Sequence, residues 1–159
     1  MSVAGMSIRA GELHIAVVSE PAAATAIAQA TTGGTSKLTF SDNLSGAAQL
    51  VDLKERIRQD LREWKVSSLH VLETSKHANW KYSSAVVRVL AISAAMYAAA
   101  EEDLAFSMMK PTLVAKLALS PKLDSIEPGL FGLGTRPTHW NAGLGQAYAT
   151  AAAGLSTFH

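Results

Sequence analysis

The first clear pattern in the chain is an alternation. Leu13, Ile15 and Val17 are separated by Glu12, His14 and Ala16, the two-residue period of a strand with one buried face. Together with the residues before it, "MSIRAGELHIAVV" at 6–18 predicts two short strands around a turn at Ala10–Gly11. Residues 19–36, "SEPAAATAIAQATTGGTS", are small, polar and weakly patterned, and predict a flexible connection ending at Gly33–Gly34. "KLTF" predicts a short third strand. The period then changes. Across "SDNLSGAAQLVDLKERIRQDLREWKV", Leu50, Leu53, Ile57, Leu61 and Trp64 recur at helical spacing. Asp52, Lys54, Glu55, Arg56, Arg58, Asp60 and Arg62 take the other faces, which predicts a solvated surface, with Ser45 as the N-cap.

"SSLHVLET" predicts a buried strand, residues 84–101 a helix, and "DLAFSMM" another strand. Pro111 suits the first position of the next helix, "PTLVAKLAL". Residues 120–140, rich in proline and carrying Gly129, Gly132 and Gly134, predict a long loop before the last helix. That helix, roughly 141–155, places Gly143, Ala147, Ala151 and Gly154 on neighbouring turns, a stripe suited to close packing within the chain or to a dimer seam. The order is strand, strand, strand, helix, strand, helix, strand, helix, loop, helix. It predicts one α/β domain over 1–159, with a mixed sheet of about five strands. A three-strand meander would come first, then parallel strands, with helices on both faces.

Composition narrows the function classes. At 159 residues with 48% apolar content, the chain can build a substantial core. Fourteen basic residues against thirteen acidic ones leave a formal charge of +1, so a nucleic-acid surface has to be a local patch. The absence of cysteine removes disulfides, thiolate metal sites and thiol nucleophiles. The opening "MSVAGMSIRAG" lacks the basic start and apolar core of a signal peptide. The greasiest segment, "AVVRVLAISAAMYAAA", is interrupted by Arg88 and reads as too short and alanine-rich to span a bilayer. A cytoplasmic protein with no membrane partner is expected.

The chemistry concentrates in "SSLHVLETSKHANWKYSSAVV", 67–87, where an apolar run ends on Glu73. The loop after it offers Lys76, His77, Asn79, Trp80 and Lys81. Positive charge beside an aromatic ring suits phosphate contact with base stacking. Lys110, Lys116 and Lys122 would extend such a patch. The plainer reading has Trp80 covering the core edge and the lysines simply solvated. Gly129, Gly132 and Gly134 follow no strand and lack the spacing of a dinucleotide fingerprint. His14, on a strand, reads as structural, and no Ser–His–Asp arrangement is supported.

Several segments, in order, resemble the ribonuclease-H-like superfamily, in particular the RuvC-type Holliday-junction resolvases and small bacterial proteins sharing that fold. They are "SIRAGELHIAVV", "KLTFSDN", "LHVLETSKHANWKYSSAVVRVLAISAAMY", "FSMMKPTLVAKLAL" and "WNAGLGQAYATAAAGL". The resemblance implies two Mg²⁺ ions held by carboxylates from the end of the first strand, the end of the fourth and the last helix. It also implies that the loop after the fourth strand faces nucleic acid. Carried over by position, these sites fall on Arg9, Glu73 and Asn141, so two anions are missing and one is replaced by a cation. This pattern implies a pseudo-nuclease without cofactor, which would act as a module binding DNA, RNA or a protein partner, or forming a homodimer. Lys76, His77, Trp80, Lys81 and Lys110 would carry nucleic-acid binding, and Arg9 would pair with Glu73 in the old metal position. Two alternatives stand beside it. One is an active nuclease using Mg²⁺ or Mn²⁺ at an atypical site of Glu73, His139 and Asn141, with Glu12, Asp124 and Glu127 nearby. The other is a scaffold subunit of a larger assembly.

Overall fold

The computed structural model describes residues 1–19, 31–74, 81–118 and 122–157. The strands are β1 (Ser2–Arg9), β2 (Glu12–Ser19), β3 (Thr31–Thr39), β4 (Ser68–Leu72) and β5 (Ala105–Met109). The helices are α1 (Ala47–Glu63), α2 (Tyr82–Glu101), α3 (Pro111–Leu117) and α4 (Leu144–Ser156). The sheet order is β3-β2-β1-β4-β5, with β1–β2 and β2–β3 antiparallel and β1–β4 and β4–β5 parallel. This is the mixed sheet that the pattern predicts. The hairpin closes through Ala10 and Gly11, whose φ values of 50° and 78° give the two-residue turn that matches strand twist.

Strand alternation sorts the core into two layers. Met6, Ile8, Leu13, Ile15, Leu69 and Val71 meet α1 and α2 on one face. Val3, Ala16, Val18 and Leu72 meet α4 and the 122–143 segment on the other. The second face is unusual in being built from small and polar groups: Ser7, His14, Ser68 and His70 are all buried there. Three of them are hydrogen-bonded, Ser7 across the layer and Ser68 and His70 within the sheet, whereas His14 Nε2 has no hydrogen-bond partner among the described residues and lies 3.6 Å from Glu12. Ser7 donates to the Gly143 carbonyl at 2.6 Å, and His70 lies between the Ser68 and Ser107 hydroxyls at 3.0 and 2.6 Å. The reason for small groups is the closeness of α4. A Cβ on Gly5 would stand 2.2 Å from both the Ala147 carbonyl oxygen and the Ala151 nitrogen. The small-residue stripe of the last helix is thus spent inside the chain, with Ala147, Ala151 and Gly154 buried, and is not a dimer seam.

Four local expectations are corrected. Gly46, at φ 56°, and not Ser45, takes the N-cap of α1. The third strand begins at Thr31, well before "KLTF", and Gly34 within it lies under the Trp64 indole, which a Cβ would overlap. The basic face of α1 is not merely solvated: Lys54 reaches Glu101 at 2.8 Å, and Arg58 and Arg62 both reach Glu102 at 2.6 Å. Finally, α2 starts at Tyr82 and runs 20 residues, so by length and composition it could cross a membrane. Its alanine face nevertheless packs into the core through Ala91, Ala94, Ala95, Ala98 and Ala99. The irregular segment before α4 contains 3₁₀ turns at Leu123–Ser125, Pro128–Phe131 and Trp140–Ala142. It is pinned by the Trp140 indole N–H donating to the Ile126 carbonyl at 2.8 Å and by the Phe131, Trp140 and Tyr148 rings.

Two tests follow from this face. Gly5→Ala forces a methyl into the α4 backbone, a group that cannot swing aside, and should cost about 3 kcal/mol or more. Denaturant unfolding compared with Ala16→Gly on the neighbouring strand would reveal a tolerated methyl. Burial also pushes the His14 and His70 imidazoles below their ordinary 6.5. Below that pH the unfolded chain takes up protons that the folded chain refuses. Stability is therefore fully present above it and declines as pH falls below about 6.5, which a denaturation series on the acid side of that pH would measure.

Candidate functional site at the carboxyl ends of the central strands

Parallel β1 and β4 end side by side, and β1 is also where the sheet turns from antiparallel to parallel pairing. Crevices outside strand carboxyl ends at such a switch are the usual ligand positions of α/β sheets. Here the crevice is a cleft of about 1000 Å³ whose lining includes Arg9, Glu73, Arg88, Thr112, Asp124 and Gln146.

Arg9 is the last residue of β1 and keeps 47% of its side chain exposed. One guanidinium nitrogen donates to the Asn141 carbonyl at 3.0 Å, and the other lies 3.6 Å from Asp124 Oδ1. Asp124, 89% exposed, also accepts on that oxygen from Gln146 Nε2 at 3.0 Å. The Arg9–Glu73 ion pair expected from the sequence is replaced by these contacts. Strand alternation explains the difference: Arg9 follows Val3, Gly5 and Ser7 on the α4 face, whereas Glu73 continues the parity of Leu69 and Val71 on the α2 face. Glu73 is half-buried, and its backbone N–H bonds the Met109 carbonyl at 2.8 Å.

Arg88 is the residue that sequence reasoning passed over. It extends from α2 and donates to the Ile8 carbonyl at 2.9 Å and the Leu72 carbonyl at 3.1 Å. Those carbonyls belong to the residues just before Arg9 and Glu73, so one guanidinium ties the two strand ends together. Desolvation pulls its pKa down, although a guanidinium stays charged at any ordinary pH. Its signal in the sequence was a lone charge inside an otherwise apolar helix.

The remaining candidates are dispersed. The Asn141 side chain accepts from Arg136 at 2.9 Å, and Arg136 is paired with Glu127 at 3.1 Å. His139 is exposed, with its ring 6.0 Å from that of His14. Glu12 pairs with Lys37 at 3.3 Å and lies 3.6 Å from His14 Nε2. Among the described residues, no group of three or more His, Cys, Asp or Glu side chains is placed to hold a metal ion. Lys81 and Lys110 are exposed at the N-caps of α2 and α3, while Lys76, His77 and Trp80 lie outside the described residues.

A sheet in this order, with α4 on one face and α1 and α2 on the other, is the RuvC-type ribonuclease-H-like fold. Among solved structures, the chain is similar to Thermus thermophilus RuvC, with a TM-score of 0.74 and 21% identity over 96% of this chain and 92% of that one. It is equally similar to T. thermophilus RuvC in complex with Holliday junction substrate, at a TM-score of 0.74 and 22% identity over 96% and 91% of the two chains. Identities this low establish the fold. The sequence matches no family model and no curated protein.

Proposed function

We propose that this is a RuvC-like domain with a degenerate metal centre, which binds nucleic acid without cutting it. One observation carries the reading: neither β1, "SVAGMSIR", nor α4, "LGQAYATAAAGLS", contains a single carboxylate. Two divalent ions bring four positive charges together, and the protein has to offset them with anionic oxygens before a phosphate arrives. Glu73 alone does not, and Arg9 and Arg88 add positive charge at the cleft. A divalent pair does not fit these residues, so no cofactor is assigned and no catalytic step is derived.

The binding reading draws on the RuvC of similar fold that was solved with a Holliday junction substrate. It also draws on residues at the same edge of this chain. Lys81 and Lys110 supply exposed charge, and Tyr82, 85% exposed directly after Lys81, offers a ring for stacking. From the sequence, Lys76, His77 and Trp80 are the further residues proposed to contact nucleic acid. The unmodified protein is expected to shift single strands, duplexes or branched junctions at low salt and to leave them uncut in Mg²⁺ or Mn²⁺. Trp80→Ala should weaken binding by about 1–3 kcal/mol. Cleavage that disappears in Glu73→Ala and in chelator would replace this reading with an active nuclease centred on Glu73.

A second reading, as a protein-interaction module, has its own support in α2. Tyr82, Val86, Val89, Ser93, Met96 and Ala100 recur every three or four residues, the period of a helix-pairing seam. Val89 is 60% and Met96 48% exposed, with Tyr97 beside them at 64%. A second copy of this helix presents the same seam and would pair with it about a two-fold axis. Sedimentation should then show a dimer that Val89→Glu with Met96→Glu converts to monomer. A monomeric unmodified protein at high concentration would remove this reading.

A further inference from the structure

A guanidinium and an amide donor converge on one oxygen at the rim of the cleft. Arg9 Nη2 lies 3.6 Å from Asp124 Oδ1, and Gln146 Nε2 donates to the same atom at 3.0 Å. The donors belong to β1 and α4, rigid elements locked together through Gly5, and Arg9 is further fixed by the Asn141 carbonyl at 3.0 Å. The acceptor is different in kind. Asp124 sits on a short 3₁₀ turn, and its side chain is 89% exposed. The arrangement is a built position for an anionic oxygen, held by fixed donors and filled by a loosely held carboxylate. We propose that Asp124 Oδ1 marks a phosphate site, in which Arg9 and Gln146 take a backbone phosphate of bound nucleic acid once Asp124 gives way.

The chemistry favours that exchange. A phosphodiester offers a planar guanidinium two oxygens, while leaving the amide of Gln146 an acceptor. An exposed ion pair of the Arg9–Asp124 kind is weak, so Asp124 competes without blocking the site. Arg88, donating to the Ile8 and Leu72 carbonyls, adds fixed positive charge to the same cleft, which Glu73 lines from the α2 side. No metal is required. The inference rests on the nucleic-acid-binding reading above and gives it a specific contact.

The test measures binding of a fluorescent single strand, duplex and four-way junction by anisotropy, with chelator present throughout. Asp124→Asn should tighten binding by about two- to fivefold, the weight of an exposed ion pair. Arg9→Ala should weaken it and reduce the slope of log K against log salt by about one. In the double variant the gain from Asp124→Asn should vanish, since no guanidinium is left to release. Both substituted positions are at the surface, and circular dichroism would confirm that each variant folds. If nucleic acid binds and Asp124→Asn leaves affinity unchanged or lower, the phosphate site is wrong and the module reading survives. If no nucleic acid binds at low salt, the module reading falls. The site is then judged with inorganic phosphate, read at the Gln146 side-chain amide by NMR. A shift that strengthens in Asp124→Asn would keep it as a free-anion site, and no shift would end it.

Discussion

The close approach of α4 to β1 is the constraint on which the rest of the molecule depends. At Gly5 the helix backbone comes so near that a single methyl would meet both the Ala147 oxygen and the Ala151 nitrogen at 2.2 Å. Such proximity dictates composition on both sides. The helix is mostly alanine and glycine where it faces the sheet, and the sheet beneath it buries Ser7, His14 and His70. Gly154 extends the same logic one end further along: a Cβ there would lie 2.3 Å from the His70 ring. What is lost in apolar area per residue is regained in dispersion between closely packed backbones and in hydrogen bonds across the layer.

The same contact shapes the site. With α4 fixed on β1, its first turn and the segment leading into it are held beside the carboxyl ends of the central strands. Asn141 therefore reaches Arg9, and Gln146 meets Asp124 beside it. The opposite wall is set by α2 through Arg88, which bonds the terminal carbonyls of β1 and β4 together. The cleft is thus framed by packing before any ligand is considered, and its polar groups are positioned by elements that cannot easily move.

Much of this architecture was legible in the sequence. Period-two alternation in β2, the helical spacing of Leu53, Ile57 and Leu61, and Pro111 at a helix start are local signals, and each survived folding. The small-residue stripe of α4 announced close packing, although nothing local could say that Gly5 was its counterpart. The misses share a cause. The early start of β3 was hidden because an edge strand of Thr, Gly and Ser earns its place by pairing with β2 and by receiving the Trp64 ring, both tertiary facts. Arg9 was assigned to Glu73 because both lie at strand ends. Which face a terminal side chain takes depends on register, and that register was fixed only by the Met6–Val71 pairing. Asp124 and Gln146 are 22 residues apart and meet only because the intervening 3₁₀ turns fold back onto α4.

Charge at the strand ends connects the fold to the proposed activity. A two-metal nuclease concentrates positive charge in removable ions, so its protein frame has to be anionic. In this chain the positive charge is covalent: among the described lining residues, Arg9 and Arg88 supply it, and the carboxylates Glu73 and Asp124 match them one for one. On the proposed reading, such a frame has little to gain from capturing divalent ions, because each added cation would be repelled by guanidiniums that cannot deprotonate. It can still exchange one anion for another. On the proposed reading such a cleft recognises phosphate at a fixed position, with the resident carboxylate setting how strongly a ligand must compete to enter.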